Sequence, residues 1–237
     1  MSLLSYPESQ DIASVERSFN VCEGCLSSLG DAPLFRSCPS CGCFFVNCCQ
    51  HANFETVCHR LPTVFTDGAC LDNGRNGARS GVGVALGVYP EEQFSAPVCN
   101  LNYGVDMKRT SQRAELLAAL EGLRIISSSD KPCHAARTMR HEETRDEVDK
   151  KFWIIATDSE YVVKGIAEWL PRWKRNGYRN ASGNRVANLD LFLLLDEELE
   201  KHENERNVSI GFFHVRRELN SIADDLARRG ARRDVPP

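Results

Sequence analysis

Between residues 63 and 233 the apolar positions switch repeatedly between two rhythms. Dense runs rich in Val, Ile and Phe read as buried strands: 63–70 (TVFTDGAC), 80–88 (SGVGVALGV), 93–103, 152–157 (FWIIAT) and 208–215 (VSIGFFHV). Longer stretches with apolar residues three and four apart read as helices. The clearest is 110–126, where Leu116, Leu117, Leu120 and Leu123 share one face; 159–170, 188–201 and 220–233 follow it. A turn-rich loop (DNGRNGAR, 72–79) joins the first two strands, and a Pro90 turn joins the second and third. The order is three strands as a meander, then helix, strand, helix, a basic excursion, helix, strand and helix. That order predicts an α/β fold: a mixed sheet with helices on its faces.

Two stretches break the rhythm. Residues 1–20 are polar and read as a flexible tail. Residues 127–150 are highly charged with no apolar period, and read as a flexible surface insertion within a domain spanning 61–237. His134 and His141 fall in that insertion and are expected to be solvated.

Composition narrows the setting. At 237 residues the chain can hold one large domain and a small one, and 42% hydrophobic residues suffice for a core. The net charge of −4 excludes bulk attraction to nucleic acid and leaves local patches to do any binding. No apolar run approaches the ~18 residues of a membrane span. Glu8, Asp11 and Glu16 argue against a secretory or mitochondrial leader, so a nuclear or cytoplasmic monomer is expected.

Cysteine changes the picture at one end. Eight of the eleven cysteines lie in 21–60. Cys22-x-x-Cys25 and Cys38-x-x-Cys41 are two turns that could each aim two thiolates at one Zn2+, predicting a small zinc-ribbon-like lobe. Cys43, Cys48, Cys49, His51, Cys58 and His59 could replace a ligand or hold a second ion. A lobe of about 40 residues is too small to fold on its core alone, so metal is the expected staple. The lobe carries few basic residues; a protein partner or a structural cap are its candidate roles.

The candidate chemistry lies in four acids. Asp67 and Asp158 each end an apolar strand, Glu115 lies early in the first helix, and Asp224 opens the last one. If the strands pair, the carboxylates converge. Four crowded anions repel and raise one another's pKa values unless divalent cations neutralise them, and hard carboxylate oxygens suit Mg2+ or Mn2+. Two such ions can drive phosphodiester hydrolysis.

The segments TDGACLDNGRNGARSGVGV, TSQRAELLAAL, ATDSEYVVKGIAEWL, RWKRNGY and NSIADDLA, in this order, resemble the cellular type-one ribonuclease H family over roughly 63–231. Cysteine-rich leaders resembling this one precede some fungal members. The resemblance implies the family's fold, a mixed five-stranded sheet flanked by helices, and hydrolysis of the RNA strand of RNA–DNA hybrids with two Mg2+ or Mn2+ ions. It assigns Asp67, Glu115, Asp158 and Asp224 as metal ligands, with Asp224 preferred to Asp225 by the N-x-x-A-D-x-L-A pattern. It places Asn73, Ser111 and Gln112 against RNA 2′-hydroxyls, and Thr110 and Asn188, with Lys108 or Arg109, at a DNA phosphate. It places Trp169, Trp173, Lys174, Arg175 and Arg179 in a handle that grips the DNA strand.

Two departures stand out. The family's histidine-bearing loop before the last helix is shortened here (HVRRELNSIADD), leaving His214 at a strand end, and Ser111 stands where Asn is common. The alternative reading is a non-catalytic module that holds hybrid or a protein on the same fold.

Overall fold

The structure, a computed structural model, describes residues 17–21, 34–46, 61–103, 108–129 and 151–235. The first sixteen residues, Cys22, Cys25, the candidate ligands Cys48, Cys49, His51, Cys58 and His59, and residues 130–150 of the insertion lie outside the described residues.

Two short strands, β1 (Phe35–Ser37) and β2 (Phe44–Val46), form a hairpin ahead of the main sheet. The sheet comprises β3 (Thr63–Leu71), β4 (Arg79–Ala85), β5 (Gln93–Pro97), β6 (Lys151–Thr157) and β7 (Val208–His214), in the order β5-β4-β3-β6-β7. β3, β4 and β5 are antiparallel neighbours, whereas β6 runs parallel to both β3 and β7. Among the described residues five α-helices flank the sheet: α1 (Ser111–Ser128), α2 (Glu160–Lys164), α3 (Leu170–Arg175), α4 (Leu189–Arg206) and α5 (Ser221–Arg232).

Side-chain alternation along β3 decides what each face meets. Val64 joins Val82, Val84 and the leucines of α1 in the larger core, with Leu191, Phe192 and Leu195 of α4. Phe65 points the other way, joining Ala85, Ala156, Ala223 and Leu226 under α5. Bare glycines let the helices approach closely. A Cβ on Gly68 would lie 2.1 Å from Ala114 C and Glu115 N, and one on Gly83 would lie 2.1 Å from Ala223 O. The sheet is thus pressed between α1 and α5 at the height of Asp67.

Several boundaries differ from expectation. β5 stops at Pro97, and Val98–Asn100 forms a 3-10 turn, since proline cannot donate to a continued ladder. The helix expected to end at residue 170 continues. After α2 it widens into a π-turn over Gly165–Trp169 and resumes as α3, with Pro171 in the first turn, where its missing N–H is tolerated. The basic excursion therefore begins on a helix.

The N-terminal portion is also more tightly joined than its composition suggests. Residues 17–19, expected in a tail, add to the free edge of β7: Phe212 N–H donates to Arg17 O at 2.7 Å and Phe19 N–H to Phe212 O at 2.9 Å. Phe19 is buried, and Arg17 pairs with Glu203 at 2.7 Å. The hairpin is not a free lobe either. Phe44 N–H donates to Leu86 O at 2.8 Å, Val88 N–H donates to Gly42 O at 3.1 Å, and the rings of Phe35 and Phe44 each lie 5.1 Å from Phe65. Phe35 and Phe44 of the hairpin pack against Phe65 of β3, so this described part of the N-terminal portion shares a cluster with the sheet.

Candidate active site

The parallel register brings the first two acids together. β3 pairs with β6 as Thr63↔Ile154, Val64↔Ile155 and Phe65↔Ala156. Two residues further on, that register sets Asp158 beside Asp67. Across this pairing the charge of Asp158 acts on Asp67. Asn220, almost fully buried at the entrance to α5, fixes the pair: its Nδ2 donates to Asp158 Oδ1 at 2.7 Å and to Thr66 O at 3.1 Å. It ties β3 to the acid at the end of β6, while its Oδ1 is left without a protein partner.

The other two acids come from helices. The close contact at Gly68 delivers Glu115, whose Oε2 accepts the Gly68 N–H at 3.1 Å. Asp224, in the first turn of α5, accepts from Arg217 Nη2 at 3.2 Å and is ion-paired with Arg228, whose Nη2 lies 3.1 Å from Oδ1. Both arginine side chains are exposed, 68% and 49%. Exposed pairs of this kind contribute about 1 kcal/mol or less, so they leave Asp224 available to a stronger cation.

The electrostatics are those of anions held together against their preference. Burial, and then the charges of Asp158 and Asp224, push the Asp67 pKa up from 3.8 to about 7. Burial and the charges of Asp67 and Asp158 drive Glu115 well above the carboxylate range, against the pull of the Gly68 N–H. Among the described residues no three His, Cys, Asp or Glu side chains are gathered into a ready-made ion cage. The donor chemistry of the four acids fits a divalent cation: hard oxygens, buried charge and mutual repulsion that such an ion would relieve.

The family model described as RNase H matches residues 60–232. The chain belongs to the RNase H family. The Ribonuclease H of Solibacter usitatus (strain Ellin6076) is 35% identical over 169 residues, covering 71% of this chain and 93% of the relative. That of Pseudomonas entomophila (strain L48) is 32% identical over 167 residues, covering 70% and 90%. Among solved structures, a type 1 RNase H with the type 2 active-site motif superposes at a TM-score of 0.48 with 21% identity, covering 75% of this chain and 74% of that one.

Around the acids of this RNase H, the remaining candidates divide. Thr110 caps α1, accepting the Arg113 N–H at 3.3 Å, with Ser111 and Gln112 in the first turn behind it. Asn188, in a left-handed conformation before α4, donates to Gln112 Oε1 at 3.4 Å and to Tyr161 OH at 3.0 Å. Thr110, Gln112 and Asn188 therefore share one corner. Buried Arg113 braces it with a two-pronged contact to Asp190, at 2.9 and 2.7 Å. Asn73 stands apart, exposed in the β3–β4 loop. Lys108 is exposed just ahead of the corner.

Arg109, the other basic candidate for this corner, is held just past the end of α5. Its guanidinium is bound to Asp234 at 2.6 and 3.3 Å and to Val235 O at 3.0 Å. Asp234 also accepts the N–H groups of Ser80 at 2.8 Å and Cys99 at 3.2 Å, forming a latch for the end of the chain. In the basic excursion, Trp169 and Trp173 are half buried. They link Tyr161 to Phe192 through ring contacts of 5.8, 5.9 and 5.2 Å. Lys174 is turned inward onto Asp196 and Glu200 of α4, which offsets the charge expected to meet phosphate. Arg175 is exposed, and Arg179 is exposed with Nη1 on Gly183 O at 2.9 Å. His214 Nε2 lies 3.3 Å from Asp158 O at the rim of the site.

Of the predicted zinc ligands, Cys38 and Cys41 sit on one turn, closed by Gly42 N–H to Cys38 O at 2.8 Å with Gly42 at φ +74°. Burial pushes the Cys41 thiol up. Cys43 is buried against Glu92 Oε1 at 3.7 Å.

Residue pattern alone missed Asn220, Arg113 and Arg217. Asn220 carried a signal, a helix-entry Asn four residues before Asp224. A lone Arg in a helix or a turn carries none.

Proposed function

We propose that this chain hydrolyses the RNA strand of RNA–DNA hybrids at Asp67, Glu115, Asp158 and Asp224, which together hold two Mg2+ or Mn2+ ions. The observation that carries this reading is the parallel β3–β6 register, which sets Asp67, in the middle of β3, beside Asp158, just past the end of β6, where Glu115 and Asp224 also arrive. When bound, divalent cations acidify a water and offset the charge that builds on the scissile phosphate. The chain's own part is positional. Asn220 orients Asp158, the Gly68 N–H orients Glu115, and the β3 backbone fixes Asp67. The water oxygen attacks phosphorus in line, the bond to the 3′ oxygen breaks and that oxygen takes a proton, leaving 3′-hydroxyl and 5′-phosphate ends.

The corner formed by Thr110, Gln112 and Asn188 lies one helical turn before Glu115 and is placed to hold backbone groups of the bound duplex. Ser111 shares that first turn, and Asn73, exposed in the β3–β4 loop, is proposed to meet the RNA strand separately. The hydroxyls at Thr110 and Ser111 and the amides of Gln112 and Asn188 suit ribose 2′-hydroxyls and phosphate oxygens, which separate RNA from DNA at a site. Arg175 and Arg179 supply phosphate contacts in the excursion.

Cleavage of a labelled hybrid with Mg2+ or Mn2+ tests the reading. Wild type is expected to cut the RNA strand, whereas Asp67→Asn and Asp158→Asn are expected to be inactive. Equal activity in all three contradicts it.

The Cys38–Cys41 turn is proposed as half of a zinc site completed by Cys22 and Cys25. Elemental analysis of the full chain is expected to return one Zn2+ that is lost in Cys38→Ser; metal-free protein at full stability contradicts this.

A further inference from the structure

Helix α1 carries both the substrate corner and Glu115, and the two are held by different means. Glu115 is placed by packing. Gly68 lets the α1 backbone come against β3, and the Gly68 N–H meets the Glu115 carboxylate at 3.1 Å. The corner lies one turn earlier. Thr110 caps α1 in an extended conformation, φ −135° and ψ 153°, and Arg109 stands directly before it. The Arg109 guanidinium is engaged on both oxygens of Asp234, beyond the end of α5.

Asp234 acts as a hub. Its side chain is wholly shielded from solvent. Oδ2 accepts the Ser80 N–H at 2.8 Å and Arg109 Nε at 2.6 Å, and Oδ1 accepts the Cys99 N–H at 3.2 Å and Arg109 Nη2 at 3.3 Å. One carboxylate thus joins the start of β4, the 3-10 turn after β5 and the entry to α1. The first two are also held by backbone bonds of their own. Ser80 pairs with Cys70 in the β3–β4 ladder, and Leu101 N–H closes the Cys99 turn on Val98 O at 3.0 Å. The end of α5 is docked on β5 independently, at Gly230, where a Cβ would meet Ala96 O at 2.4 Å. Residues 108–110 belong to no helix or strand, and the charge-assisted, two-pronged pair ties them to the sheet.

We infer that Asp234 is a positioning residue for substrate binding: through Arg109 it fixes the backbone at Thr110, and with it the first turn of α1 that presents Thr110, Ser111 and Gln112 to the duplex. Asp234 touches neither substrate nor metal. The inference rests on the proposed role of the corner. Its consequence is a division of labour within α1. Loss of the latch loosens the first turn while the Gly68 contact still holds Glu115, so binding suffers and the chemical step does not.

The test is steady-state cleavage of a labelled hybrid at saturating Mg2+, with kcat and KM read separately, alongside hybrid affinity in Ca2+. Asp234→Asn keeps the shape of the hub but removes the charge that holds Arg109. KM and Kd are expected to rise about ten-fold with kcat within about two-fold of wild type, the signature of losing an interaction made equally in ground and transition states. Arg109→Met cuts the same tie from the other side and should give the same split. The double variant should be no worse than either single one, because both act through one contact. Arg109→Met should also leave the salt slope of binding unchanged, since Arg109 meets Asp234 and not phosphate. Should Asp234→Asn fail to fold, Arg109→Lys decides: it keeps the charge pair without the fork, and its KM should fall between wild type and Arg109→Met. A lower KM in Asp234→Asn overturns the inference, because it would mean that Asp234 withholds Arg109 from phosphate. So do wild-type KM values in both folded single variants, or a kcat that falls as far as KM rises. Wild-type affinity in Gln112→Ala would instead overturn the role of the corner, and an inactive wild type the reading of the acids, with the latch then judged by affinity in Ca2+.

Discussion

The carboxylate site and the basic excursion both concentrate charge, but they dispose of it in opposite ways. In the excursion, Lys174 is matched by Asp196 and Glu200, and the tryptophans pack on Tyr161 and Phe192. At the site, Asp67 and Glu115 are buried beside other acids, and the cations near Asp224 stand in solvent. Charge that is balanced internally builds structure. Charge kept buried and unbalanced is costly, and it persists because the sheet, Gly68 and Asn220 fix the backbone around it. The contrast sets unmatched acids around Asp67, in the middle of β3, against an excursion whose lysine is paired internally and whose Arg175 and Arg179 stay exposed.

The strongest way to break this contrast is Asp67→Asn. Hybrid cleavage should fall by at least about 10³-fold, equivalent to ~4 kcal/mol of lost barrier reduction. In the same variant, metal-free stability at pH 8 should rise, because a neutral group of the same shape replaces a buried charge. Lower stability in urea unfolding would contradict the unbalanced-charge account.

Next in size is the pH dependence of the metal-free protein. An acid whose folded pKa lies above its unfolded value binds more protons when folded, so its contribution is present at low pH and lost as pH rises. For Asp67 that window runs from 3.8 to about 7. Unfolding free energy should fall across it by on the order of 3–4 kcal/mol. Mg2+ should restore the loss at pH 8, and Asp67→Asn should flatten the slope; a wild type stabilised as pH rises through this window would contradict it.

Gly68→Ala sharpens the comparison from the packing side. A methyl there would meet the α1 backbone at 2.1 Å, and neither strand nor helix can yield cheaply. A loss of about 3 kcal/mol is expected in denaturant unfolding, together with loss of activity as Glu115 is displaced; a wild-type midpoint would contradict the close approach. The smallest effects belong to the excursion. Lys174→Ala should change hybrid affinity little and stability by about 1 kcal/mol at most. Arg175→Ala should reduce the salt slope of binding by about one contact.

How much of this was legible in the sequence follows from how local each cause is. Strand and helix rhythms are local, and they located all five sheet strands and the long helices. Where a second constraint intervened, the rhythm misled. Pro97 ended β5 early, and a π-turn carried the helix through Pro171. The acids were legible as residue types in an ordered set, and the pairing of Asp67 with Asp158 was conditional on a parallel register that pattern alone does not fix. The ion pairs of Lys174 and Arg109 were not legible because their partners, Asp196 and Asp234, lie 22 and 125 residues away. Arg217 was invisible for a similar reason. Its exposure and its proximity to four acids exist only once β7, α5 and β3 are assembled.

The most direct test of shared buried charge is calorimetric Mg2+ binding at pH 6.5, repeated in two buffers of different ionisation enthalpy. Protons held by Asp67 and Glu115 must leave when a cation takes their oxygens. Wild type should therefore release protons on binding, and Asp67→Asn should release fewer and bind more weakly. Binding without proton release, unchanged by the substitution, would contradict the account.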